Sequence, residues 1–306
     1  MLLLDYLVSK FPASKRITLR RMIEAGRVLI NGLPARRAKD PVADSDKVEV
    51  LDQPQPTEED LAKAKTNPAD RLGFEIVHED DDLIVILKPP DFLTATSEKE
   101  TRATVASKLE TYFAAKNRRW KLGVIHRLDR GASGLLVFTK NTKAYHHLKT
   151  QFFHHTVDRV YTAVVQGVVS PKSGRIESLL TERNDGMVIE TDDPRKGQEA
   201  ITDYQTLATA KWEHPLRAGK KTISLLKVTL LTGRKHQIRA HFASKGCPIM
   251  NDPMYGPEDK PYGRLLLAAT ELAFEHPTTK ARMKFQIKPP KEVNTLFAEA
   301  AKPTDS

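Results

Sequence analysis

The chain has 306 residues, a formal charge of +10 at neutral pH and a single cysteine, Cys247. Such a length favours two unequal domains with separate cores, and a lone thiol excludes both an intrachain disulfide framework and a Cys-based zinc site, which fits a reducing compartment. Met1 to Tyr6 lacks a basic leader and no stretch approaches the roughly 20 apolar residues that span a bilayer, so a cytoplasmic protein without a membrane partner is expected, and the surplus of cations points to a polyanion.

Between Lys10 and Lys39 nine lysines and arginines face Glu24 alone. Ser14 can cap a helix running to about Glu24, with Ile17, Met22 and Ile23 as its apolar stripe and Arg16, Arg20 and Arg21 facing out. Gly26 would end it. Arg27 to Gly32 reads as a short strand entering an Asn-Gly turn, and Asp46 to Leu51 as the returning strand. The run RRMIEAGRVLINGLPARRAKDPVADSDKVEVL resembles an S4 RNA-binding domain. That resemblance implies a small helix-plus-strand module over residues 1–52 whose Arg16, Arg20 and Arg21 meet RNA. Residues 53–70 are polar and contain prolines, as an interdomain linker would.

Phe74 to Pro90 reads as two strands joined by an acidic turn, the second apolar enough to be buried on both faces. Then comes His126-Arg127-Leu128-Asp129-Arg130-Gly131-Ala132-Ser133-Gly134, with one carboxylate between two arginines. In extended backbone Arg127 and Asp129 would share a side, with His126 and Leu128 opposite. A carboxylate beside a guanidinium stays ionised, which suits a nucleophile or base. Leu135 to Phe138 is a compact strand, and Asn141 opens a helix on which Tyr145, Leu148 and Phe152 recur at helical spacing. In Asp158 to Gly167, Tyr161, Ala163 and Val165 fall on one face of a strand. Lys227 to Phe242 is a strand that turns at Thr232-Gly233 into a helix stopping near Gly246. Arg234 and Lys235 sit beside its N-terminus, where phosphate binding is favourable.

His-Arg-Leu-Asp at 126–129, Tyr161-Thr162-Ala163-Val164-Val165-Gln166-Gly167 and Thr232-Gly233-Arg234-Lys235-His236-Gln237-Ile238-Arg239-Ala240-His241 together resemble the RluA-type pseudouridine synthases. Weaker likenesses are Lys196 to Thr202, Arg264 to Ala269 and His276-Pro277. Asp91 stands where the family has a glycine after Lys-Pro, and Ala268 where it has a histidine. The resemblance implies an α+β pseudouridine synthase fold over residues 71–306, a mixed, mostly antiparallel sheet with flanking helices and a central cleft. It implies Asp129 as the catalytic carboxylate, Tyr161 beneath the target base, and Arg239 as the partner of Asp129, with Arg234 the other choice. His126, Arg127, Arg234 and Lys235 would bind substrate, Arg127 filling the space of a flipped uridine.

The reaction so implied isomerises uridine to pseudouridine in structured RNA, ribosomal RNA first and tRNA second. It uses no cofactor, no metal and no obligate protein partner, and a monomer suffices. The histidine pairs 146–147 and 154–155 diverge by about 100 degrees on a helix, and no His-Glu-x-x-His spacing occurs, which speaks against a zinc hydrolase. A non-catalytic RNA-binding or ribosome-assembly factor is the other class, and it would have no need of an Asp129, Tyr161 and Arg239 set.

Overall fold

The computed structural model describes residues 1–12, 14–24, 27–35, 37–51, 72–95, 102–116, 119–213, 220–257 and 263–300. The linker expected over 53–70 and the helix stop at Gly26 lie outside them. The chain forms two compact units, Met1–Asn67 and Pro68–Ser306.

In the first unit a helix that the charge pattern does not announce, α1 (Leu3–Lys10), buries Leu3, Leu4 and Leu7. The spacing i, i+1, i+4 puts these on one face. The next helix, α2 (Arg16–Glu24), packs against it through Leu19 and Ile23, one turn apart. Ile17, expected inside, is 61% exposed. The first helical carbonyl is that of Lys15, which receives Thr18 and Leu19 N–H, so the helix starts one residue later than a Ser14 cap would set. Arg20 and Arg21 are exposed as expected, while Arg16 pairs with Asp5 at 2.6 Å. Asn31 and Gly32 both take positive φ (51 and 80 degrees), the conformation a two-residue hairpin turn requires. This turn joins β1 (Val28–Ile30) to β2 (Leu33–Ala35), and the strand expected over 46–51 is β3 (Val48–Val50) on the opposite edge of β1.

The second unit is built on one sheet of 11 strands. In chain order it contains β4 (Glu75–Glu79), β5 (Leu83–Lys88), α3 (Val105–Lys116), β6 (Gly123–Val124), β7 (Ser133–Thr139), α4 (Thr142–Phe153) and β8 (Asp158–Gln166). There follow β9 (Ser173–Glu182), β10 (Val188–Thr191), β11 (Gln198–Glu213), β12 (Lys220–Leu230), α5 (Gln237–Ser244), β13 (Leu267–Glu275), β14 (Arg282–Gln286) and α6 (Lys291–Ala300). The order is β10-β9-β11-β12-β8-β13-β7-β5-β4, with β14 on β13 and β6 on β7. Among the described residues only β13 and β7 pair in parallel; the other pairings are antiparallel. The sheet is therefore mixed and mostly antiparallel, and the fold α+β.

The centre of the sheet is covered on both sides, which explains its unbroken apolar runs. Ile84, Ile86, Leu136 and Phe138 face one core with α3, whereas Leu83, Val85, Leu135 and Val137 face another with Leu148 of α4. At the parallel seam Gly134 has φ 120 degrees, and a Cβ there would stand 2.2 Å from the carbonyl oxygen of Ala269. Only glycine lets the two backbones approach so closely. Asp91 adopts φ 58 degrees. Aspartate tolerates that left-handed conformation, so the turn after Lys88-Pro89-Pro90 survives without a glycine.

Candidate active site

The loop between β6 and β7 carries Asp129 and is tied down on both sides of it. Thr94 Oγ1 donates to the Leu128 carbonyl at 2.9 Å and accepts the Leu128 N–H at 3.2 Å. Lys88, fully buried at the end of β5, donates to the carbonyls of Pro89, Phe92 and Arg130 at 2.9, 2.6 and 3.0 Å. Burial pushes its pKa down to about 7, opposed by the charges of Asp129 and Asp91. Two inward anchors thus hold the backbone on either side of Asp129.

Side chains alternate along this loop as extended backbone demands. Leu128 is buried, Arg127 is exposed, and Asp129 is 17% exposed at the cleft wall. His126 stacks on Phe152 with ring centres 4.7 Å apart, and its Nε2 accepts the Val137 N–H at 3.1 Å. Burial and the neighbouring Arg159 push its pKa down to about 3. The ring reaches the cleft wall, but both its tautomer and its orientation are committed to the fold. With Nε2 accepting, the ring hydrogen lies on Nδ1, which has no partner among the described residues.

The cleft itself has a volume of about 730 Å³, and Arg127, Asp129, Tyr161, Arg234, Lys235 and His236 are among the residues around it. Tyr161 projects from β8 and is 7% exposed. A core tyrosine would satisfy its hydroxyl, yet this one makes no hydrogen bond among the described residues. Burial drives its pKa up to about 12; the charge of Asp129 adds to this and Arg159 opposes it. The phenol therefore remains protonated at neutral pH.

Arg239 reaches the cleft from behind. Its Nη1 donates to Asp129 Oδ2 at 3.2 Å, while Nε and Nη2 donate to the two carboxylate oxygens of Asp252 at 2.7 and 2.8 Å. Asp252 is fully buried and also accepts the N–H groups of Met254 and Tyr255. Burial works against the charge of Arg239, but the bonds and charge of Asp252, with Asp129 adding, hold its pKa above the ordinary value. The choice between two arginines is thereby decided: Arg239 meets Asp129, and Arg234 Nε donates to the Glu199 carbonyl.

The helix α5 is anchored by Gln237, whose amide oxygen accepts Thr232 Oγ1–H and Arg234 N–H and whose NH₂ donates to Ile201 O and Thr202 Oγ1. One of the N–H groups expected to cradle phosphate, that of Arg234, is thus already taken. Lys235 pairs with Glu182 at the rim. Arg127, by contrast, has no ion pair or hydrogen bond among the described residues. Lys88, Asp252, Tyr255 and Arg159 escaped the sequence reading. The partners that mark Asp252 and Lys88 as site residues are distant in sequence: Arg239 lies 13 positions from Asp252, and the Arg130 carbonyl 42 from Lys88.

The sequence model of the RNA pseudouridylate synthase family matches residues 82–244, and that of the S4 domain residues 1–48. An RNA pseudouridine synthase of Aquifex aeolicus, named as uncharacterized, is 28% identical over 96% of this chain and 92% of its own length. Ribosomal large subunit pseudouridine synthase D of Haemophilus ducreyi is 29% identical over 89% of this chain and 82% of its own. tRNA pseudouridine synthase C of the same organism is 35% identical over 68% of this chain and 88% of its own. Among solved structures, human RNA pseudouridylate synthase domain containing 4 superposes with a TM-score of 0.59 at 22% identity, over 78% of this chain and 95% of that one.

Proposed function

Because this chain belongs to the RNA pseudouridylate synthase family and is an enzyme that isomerises uridine to pseudouridine in RNA, we propose that Asp129 is its catalytic carboxylate and ribosomal RNA its substrate, with tRNA the second choice. The observation that carries this reading is the Asp129 carboxylate at the wall of an open cleft, beside Tyr161 and on a single hydrogen bond from Arg239. Support for ribosomal RNA comes from the synthase D relative, which covers 89% of this chain.

Isomerisation breaks the bond from uracil N1 to ribose C1′, turns the base and joins C5 to C1′. A lone carboxylate serves, either by attacking C1′ or by removing the 2′ proton. A uridine stacked in folded RNA cannot reach Asp129, so it must flip out, at a cost of a few kcal/mol. Arg127, exposed and unpaired among the described residues, fills the gap it leaves. Tyr161 lies under the base and takes part in the proton transfer at C5. Arg234 and Lys235 meet phosphates at the rim, with Arg16, Arg20 and Arg21 of the first unit supplying further cationic contacts. The enzyme works as a monomer in the cytoplasm.

Cellular RNA incubated with the protein tests this through carbodiimide-blocked primer extension. Wild type should add pseudouridine stops that Asp129→Asn does not, while both bind RNA alike. Identical maps would leave a binding protein without chemistry and sink the assignment of Asp129.

A further inference from the structure

His236 opens α5 in the left-handed region, at φ 52 degrees, a conformation few side chains tolerate and one that turns its ring into the cleft beside Asp129. Tyr255 packs edge-on against that ring, its hydroxyl 3.2 Å from Nδ1. The same hydroxyl accepts the Val188 N–H at 2.8 Å. Its own proton then has one acceptor among the described residues, the imidazole Nδ1. The Tyr255 hydroxyl hydrogen finds that acceptor only when Nδ1 is bare, which leaves the ring hydrogen on Nε2. Nε2 has no partner among the described residues and belongs to the side of the ring away from Tyr255.

We propose that His236 donates a hydrogen bond from Nε2 to a carbonyl oxygen of the flipped uracil, and so stabilises the negative charge that develops there. The inference rests on the isomerisation reading. When the N1–C1′ bond breaks, its electron pair stays with uracil and spreads over N1, O2 and O4. At C1′ the loss is made good by the Asp129 carboxylate or by departure of the 2′ proton. The hydrogen on Nε2 is shared with the oxygen but never transferred, so His236 ends the step as it began.

A neutral donor suits this place better than a cation. An imidazolium would pair with Asp129 and silence it, whereas a fixed neutral N–H acts where charge appears and leaves the carboxylate free. Burial lowers the pKa of His236, and Arg239 and Lys235 push the same way against the charges of Asp129 and Asp252. Tyr255, with a pKa raised by burial, keeps the proton it gives to Nδ1.

The full-length protein tests the assignment by single-turnover release of tritium from C5-labelled cellular RNA, with affinity for the same RNA measured by filter binding. His236→Phe should slow turnover about 100-fold, the usual effect of losing one such donor, with affinity within about twofold and a melting temperature lowered by only a few degrees, as loss of the Tyr255 hydrogen bond entails. His236→Gln, which offers an amide N–H, should recover most of the rate. Wild-type turnover in His236→Phe would overturn the proposal. So would a parallel loss of rate and affinity that glutamine does not rescue. Absence of tritium release by the wild type would instead overturn the isomerisation reading, and this assignment with it.

Discussion

Asp252 takes two hydrogen bonds from Arg239, at 2.7 and 2.8 Å, and by doing so leaves a single guanidinium nitrogen for Asp129. The buried aspartate aims the arginine. Asp252→Asn removes the compensating charge and one acceptor from a side chain that has no access to water. Breaking a buried pair in this way costs about 3 kcal/mol, to be read by urea unfolding. Turnover should drop by about 10- to 100-fold from misplacement of Asp129. Unchanged turnover in a folded Asp252→Asn protein would show that aiming is unimportant.

Tyr161→Phe separates chemistry from packing. The hydroxyl has no partner among the described residues, so stability should change by less than about 0.5 kcal/mol. Loss of a group engaged in proton transfer should slow tritium release by about 100-fold. A variant as fast as wild type would return Tyr161 to the core.

Arg127→Ala should depress turnover more than RNA affinity, because a side chain that fills the vacated stack acts only once the base has left. Filter binding and single-turnover rates on one RNA compare the two. Equal losses would make Arg127 an ordinary phosphate contact.

Gly134→Ala tests the seam of β7 and β13. Its φ of 120 degrees strains any side chain, and the added methyl would stand 2.2 and 2.5 Å from the oxygen and nitrogen of Ala269. A loss of about 3 kcal/mol or more is expected, combining backbone strain with steric clash, and denaturant midpoints measure it.

Acid should weaken the fold through two histidines. Burial lowers the pKa of His126 to about 3 and that of His241 to about 4, against 6.5 ordinarily. His241 sits between Thr202 and Ser178 hydroxyls. Between pH 6.5 and these values the unfolded chain binds protons that the folded one does not, so stability falls as pH falls. Each histidine accounts for about 2 kcal/mol by pH 5. His126→Asn should flatten the plot of unfolding free energy against pH by close to one proton, and an unaltered slope would refute the assignment.

The elements legible in the sequence were those whose signals are local. The hairpin of β4 and β5 shows in its apolar run and acidic turn, and the Asn31-Gly32 turn in its dipeptide. The capped start of α4 shows in Asn141, whose side chain accepts the Ala144 N–H. Asp129, Tyr161 and Arg239 stand out because they lie in dense motifs. What escaped depends on distant partners. Ile17 rather than Leu19 looks inward until α1 is known to pack against Leu19 and Ile23. Asp252 looks like a turn residue until Arg239 reaches it. Asp91, a departure from glycine, is explained only by its backbone angle.

Sheet order also has a temporal consequence. β7 and β8 are near neighbours in sequence but do not pair; β13, more than a hundred positions later, slots between them and joins the two halves of the sheet. A growing chain that has released Asp129 and Tyr161 from the ribosome still lacks the strand that brings their supports together. Contacts so distant along the chain form slowly, since the intervening loop must close first. The enzyme therefore gains its activity only once β13 has been made, and chains that stop short of it carry Asp129 and Tyr161 without an assembled sheet beneath them.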